Sequence, residues 1–171
     1  MTLRRLFRMD RWLLSLMPVI VLLAVFGTGT TGCTSSASQH TVGKPERPYT
    51  MDDVAKNQHQ VKLPSYVTAD LQDVYEYAVA HPDKLQYMPC YCGCGLTSQH
   101  KNNTECYIAG VDKDGMIVFD NHASFCTVCA EITRDVQRLT EEGKSPQQIR
   151  AYVDETHGPK GPGTDTPKPP A

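Results

Sequence analysis

The chain is poor in basic charge, in long apolar runs and in repeats, and each shortage excludes something. Seventeen Lys and Arg stand against nineteen Asp and Glu over 171 residues, a formal charge of −2. Four arginines (Arg4, Arg5, Arg8, Arg11) and one aspartate (Asp10) fall in the first 32 residues, so the remainder carries −5. A phosphate backbone is bound by a basic surface, and nucleic acid is therefore not the expected partner. The longest apolar run, Trp12 to Phe26, is interrupted by Ser15 and Pro18. It falls short of the roughly 20 residues that span a bilayer as a helix. No internal repeat is visible, and the length leaves room for one domain.

What is present at the N-terminus reads as an export signal: arginines, the short apolar run, then small residues up to Gly32. Gly29-Thr-Thr-Gly-Cys33 resembles a bacterial lipobox. On that reading residues 1–32 are a lipoprotein-type signal peptide, and Cys33 is acylated and becomes the mature N-terminus. Residues 33–62 are expected to form a flexible tether and residues 159–171 a disordered, Pro- and Gly-rich tail. The domain is then 63–158.

Within it, Leu71, Val74, Tyr75 and Ala78 recur at helical spacing and predict an amphipathic helix over about 68–81. Residues 106–111 and 116–119 are β-prone runs joined by a turn ending in Asp114-Gly115, which predicts a hairpin. Cys129, Ile132, Val136 and Leu139 share one face of a helix expected to begin near Ser124 and stop at Gly143. Ser145-Pro146 opens a last helix that ends at Gly158. The expected class is α+β: a small, mostly helical domain with a β-hairpin and a cysteine-rich loop.

The chemistry lies in six cysteines besides Cys33. Cys90, Cys92 and Cys94 sit in Pro89-Cys-Tyr-Cys-Gly-Cys-Gly95, followed by Cys106, Cys126 and Cys129. The alternation with glycine lets neighbouring sulfurs turn to one centre, which suits a soft metal. His122, Cys126 and Cys129 are spaced by four and three at a helix entrance, where free amides stabilise thiolates. The candidate ligands are therefore Cys90, Cys92, Cys94, Cys106, His122, Cys126 and Cys129, with His100 as an additional one.

Two other uses compete for these sulfurs. An exported small domain can be stapled by disulfides, and Cys126-x-x-Cys129 has the spacing of a thiol–disulfide exchange pair. Against exchange, no βαβ unit surrounds the pair. Covalent haem is excluded because Ala130, not histidine, follows Cys129. A zinc deaminase site is excluded because His122 is followed by Ala123 and Ser124. Asp112 and Asp114 belong to a solvated turn, since no full calcium-loop pattern follows them.

The Pro-Cys-Tyr-Cys-Gly-Cys string at 89–94, His100, Cys106, Phe119-Asp-x-His122, Phe125-Cys-x-x-Cys129 and the segment from Glu142 to Val153 together resemble the PCYCGC-motif family of bacterial lipoproteins. The resemblance implies export, lipidation and one compact domain, and carries no established activity. The expected protein is thus a non-enzymatic, lipid-anchored metal binder on the extracytoplasmic face of a bacterial membrane. Copper(I) is expected ahead of zinc, with a metal-transport protein or metalloenzyme as exchange partner.

Overall fold

A computed structural model describes residues 43–171. The segment read as a signal peptide, Cys33 and the first part of the stretch read as a tether lie outside the described residues. In chain order the elements are α1 (Met51–Asn57), α2 (Gln72–Ala80), α3 (Pro82–Leu85), α4 (Cys94–Thr97), a 3₁₀ turn (Asn103–Cys106), β1 (Ile108–Val111), β2 (Ile117–Phe119), α5 (His122–Phe125), α6 (Thr127–Glu141), α7 (Pro146–His157) and a second 3₁₀ turn (Gly158–Lys160). The class is α+β, as the sequence predicts.

The expected elements are present with shifted ends. Residues 68–71 form a turn before α2, closed by the Leu71 amide on the Thr68 carbonyl. The helix expected from Ser124 is broken in two. Cys126 is extended (φ −125°, ψ 98°) between α5 and α6, so α6 starts afresh at Thr127 with Cys126 as its cap. From there Cys129, Ile132, Val136 and Leu139 line the buried face. Helix α7 begins with a reciprocal cap: the Ser145 side chain accepts from the Gln148 amide while the Gln148 side chain accepts from the Ser145 amide. Its buried face, Ile149 and Val153, packs with α6, and the Arg138 guanidinium lies 5.3 Å over the Tyr152 ring.

The hairpin pairs Ile108 with Phe119, Gly110 with Val118 and Val111 with Ile117, with an irregularity between Ile108 and Gly110. Asp112 Oδ1 accepts the Asp114 and Met116 amides, each at 2.9 Å. The acidic turn thus satisfies its own backbone. At the centre of the core, Tyr75 and Tyr107 meet edge-on with centroids 5.0 Å apart. The Tyr107 hydroxyl reaches the Cys129 carbonyl and Thr133, so the buried phenol is hydrogen-bonded.

Two expectations about the flanks are corrected. The stretch read as a flexible tether, 33–62, holds α1. Thr50 and Asp53 form its capping box, the Arg47 guanidinium grips Asp53 at 2.6 and 2.7 Å, and Val54 is fully buried. The short helix orders because it has an ion pair, a cap and an apolar anchor, which average composition hides. The tail read as disordered, 159–171, packs on the domain. Thr164 and Thr166 are buried. Arg150, itself buried, donates to the Tyr87 carbonyl and to the Thr166 and Pro167 carbonyls. Proline carbonyls keep their acceptor capacity, so a proline-rich strand can be held by an arginine fork from the side.

Candidate metal centre

Three parts of the chain converge on one end of α6. The loop after α3 brings Cys90, Cys92 and Cys94. Gly93 takes a left-handed φ of 84° as the cap of α4, a turn that side-chain-bearing residues resist. The first 3₁₀ turn brings Cys106, and the α5–α6 junction brings His122, Cys126 and Cys129. All six cysteines of the described residues are free.

The sulfurs form a connected array. Cys129 Sγ lies 3.0 Å from Cys90, 3.2 Å from Cys106 and 3.8 Å from Cys92. Cys90 and Cys92 are 3.2 Å apart, and Cys94 and Cys106 are 3.9 Å apart. His122 Nε2 is 3.3 Å from the Cys92 sulfur. Two four-donor groups close to within 4.8 Å of mutual separation: Cys92, His122, Cys126 and Cys129, and Cys94, His100, Cys106 and His122. Either could hold a metal ion. Cys90 belongs to further groups with Cys92 and Cys94, and with Cys106 and Cys129. Every candidate ligand read from the sequence, His100 included, is therefore in the array, while Cys33 lies outside the described residues.

The backbone under the array is fixed by side chains that the sequence reading did not single out. The Cys129 carbonyl accepts from Asn103 Nδ2 at 3.3 Å, the Tyr107 hydroxyl at 3.1 Å and Thr133 Oγ1 at 3.1 Å. Cys90 is held on both sides by Thr164. The Cys90 amide donates to Thr164 Oγ1 and the Thr164 amide to the Cys90 carbonyl, both at 3.0 Å. Asp120 links the two histidines, through the backbone of His122 and the ring of His100. One oxygen accepts the His122 amide at 2.7 Å and the other stands 3.4 Å from His100 Nε2. A carboxylate on one ring nitrogen orients a histidine to ligate with the other. His100 Nδ1 is buried and makes no hydrogen bond. The only sequence signal for Asp120 was its place two residues before His122, and for Thr164 there was none.

Charge in the array is uneven. Hydrogen bonds from Cys129 and Cys92, aided by His122, hold the Cys126 thiol far below its usual range. Cys94 is also held down, chiefly by Cys106, whereas burial pushes Cys106 itself up to about 12. Burial opposes the charged form of His122, but the sulfurs of Cys126 and Cys92 outweigh it and raise the imidazole to about 11. Burial likewise opposes charge on His100, and Asp120 with Cys94 raises it to about 9. Protons thus occupy the places where a cation would neutralise the same thiolates.

A family model described as a protein of unknown function with a PCYCGC motif matches residues 19–169. The chain belongs to this family. No curated protein and no solved structure matches it. In this PCYCGC protein the motif's three cysteines supply donors to more than one of the metal-competent groups. Tyr91 between them turns away and hydrogen-bonds Asp154 at 2.7 Å. Strand-like alternation places sulfur on one side and the aromatic anchor on the other.

Proposed function

We propose that this PCYCGC protein is a lipid-anchored, extracytoplasmic binder of a soft metal, copper(I) ahead of zinc, that stores or delivers the ion without catalysing a reaction. The observation that carries the reading is the Cys129 sulfur, which faces Cys90, Cys106 and Cys92 at once. A disulfide joins sulfurs in pairs, whereas an array in which one thiol is shared among several others suits a metal. Thiolates in excess of imidazoles favour copper(I) or zinc. The export signal and Gly32-Cys33 support anchoring through an acylated Cys33. Cys92, His122 and Cys126 are half-exposed, and Phe125, beside Cys126, is 78% exposed. That combination suits transient contact with a metal-transport protein or metalloenzyme.

Anaerobic purification of the full chain in mild detergent, elemental analysis and thiol counting test this reading. Copper or zinc should copurify, chelation should make thiols alkylatable without reductant, and Cys129→Ser should lose most of the metal. Metal-free protein with three stable disulfides would overturn the proposal. The depressed Cys126 thiol at the start of α6 favours thiol–disulfide exchange as a second reading. A mixed disulfide with another protein, trapped by Cys129→Ser and absent from the wild type, would support exchange instead. For the anchor, Cys33→Ser should release the protein from membranes or leave its signal uncleaved.

A further inference from the structure

We infer that the centre takes two copper(I) ions: an outer one on Cys92, His122, Cys126 and Cys129, and an inner one on Cys94, His100 and Cys106, with Cys90 between them. This rests on the copper reading above and adds to it a stoichiometry and a layout.

The first ground is donor number. Six thiols and two imidazoles converge, while one tetrahedral ion uses four donors. The second is spacing. Thiolates sharing one ion at about 2.3 Å stand about 3.8 Å apart. Cys92 and Cys129 are 3.8 Å apart in the outer set, and Cys94 and Cys106 are 3.9 Å apart in the inner one. Each set therefore has one sulfur pair at the spacing of a shared coordination sphere, with its donors all within 4.8 Å of one another. The third is linkage. Cys106 and Cys129, one from each set, approach to 3.2 Å. Cys90 belongs to neither set, yet groups with Cys92 and Cys94 and also with Cys106 and Cys129. Its sulfur is placed to bridge two ions. His122 falls in both groups, but a neutral imidazole offers a single lone pair, and with its Nε2 3.3 Å from the Cys92 sulfur it serves the outer ion. As each ion binds, coordinating thiols lose their protons to solvent.

The two positions differ in access. Three of the four outer donors are half-exposed, whereas Cys94, His100 and Cys106 of the inner set are buried. The inner set also contains His100, whose Nε2 faces Asp120 and whose buried Nδ1 makes no hydrogen bond. An ion arriving from solvent meets the outer set first, and the inner position holds its ion longer.

The test is a copper(I) titration of the full chain, purified anaerobically in mild detergent, stripped of metal and kept reduced, against a chromophoric chelator. The wild type should saturate at two equivalents, show metal–metal scattering in X-ray absorption at that loading, and release its ions to excess chelator in two phases. Cys126→Ser should lose one equivalent and keep the slow phase, and His100→Gln should lose one and keep the fast phase, with circular dichroism reporting that each is folded. Wild type saturating at one equivalent overturns the two-ion centre and leaves the copper reading standing. No copper uptake by reduced, folded wild type overturns both. Loss of both equivalents in both folded variants overturns the division into outer and inner positions. The wild-type titration decides the count even if a variant fails to fold.

Discussion

Asp120 shows how much one carboxylate can organise at the centre. It is nearly buried, yet it carries no ligand role. One oxygen fixes the start of α5 through the His122 amide and the other faces His100. Tyr75 steadies the same residue by donating to its carbonyl at 2.9 Å. Asp120→Asn keeps the shape and removes the charge. Loss of such an orienting partner costs about 10–100-fold in metal affinity, and that drop is expected in chelator competition, with the number of bound ions unchanged. An unaltered affinity would mean that His100 is positioned by packing alone. The candidate ligands themselves were legible in the sequence, because cysteine and histidine at short spacing announce their chemistry. Asp120 was not, since an aspartate in a polar loop looks the same whether it faces water or a ring nitrogen.

At the scale of elements, α1 carries a pH-sensitive attachment. The Arg47 guanidinium, then Thr50 through its hydroxyl and amide, hold the Asp53 carboxyl well below the ordinary carboxylate range. A depressed carboxyl stabilises the fold while it is ionised. Its contribution is present above the unfolded value of about 3.9 and fades as pH falls below it toward the folded one. The protection of the α1 amides against hydrogen exchange, taken relative to the intrinsic rate at each pH, should therefore fall below about pH 4, before that of α6. In Asp53→Asn the segment should already be loose at neutral pH, and the acid step should vanish. The longer helices were readable from periodicity because their buried faces repeat over several turns. Helix α1 has two turns and one deeply buried residue, Val54. Its signal was the Thr50-x-x-Asp53 cap, which composition averaging conceals. The break at Cys126 was hidden for the opposite reason: the pattern on either side continues through it, and only the extended backbone of Cys126 interrupts the helix.

At the scale of the whole molecule, the last eleven residues act as a strap across the cysteine loop. Gly161 and Gly163 let the strand pass close to Tyr91. A Cβ on Gly161 would meet the Tyr91 carbonyl at 2.8 Å, and one on Gly163 would meet its ring at 2.7 Å. Thr164 then pairs with Cys90, and Arg150 grips the carbonyls beyond it. Ending the chain after Lys160 should leave the ligands in place but free the Cys90 backbone. About 2 kcal/mol of stability should be lost with the hydrogen bonds, measured by urea unfolding, and alkylation of Cys90 in the metal-free protein should accelerate. Equal stability and equal alkylation would show the strap to be ornamental. The sequence concealed this strap because proline-rich segments seldom order on their own and nothing local to residues 161–171 names Cys90 as their partner. Synthesis runs from the N-terminus, so every sulfur of the centre exists before the strap does. For as long as the nascent chain lacks residues 161–171, the Cys90 loop is without its clasp. Through that interval, thiols that could hold a metal ion are without their cover.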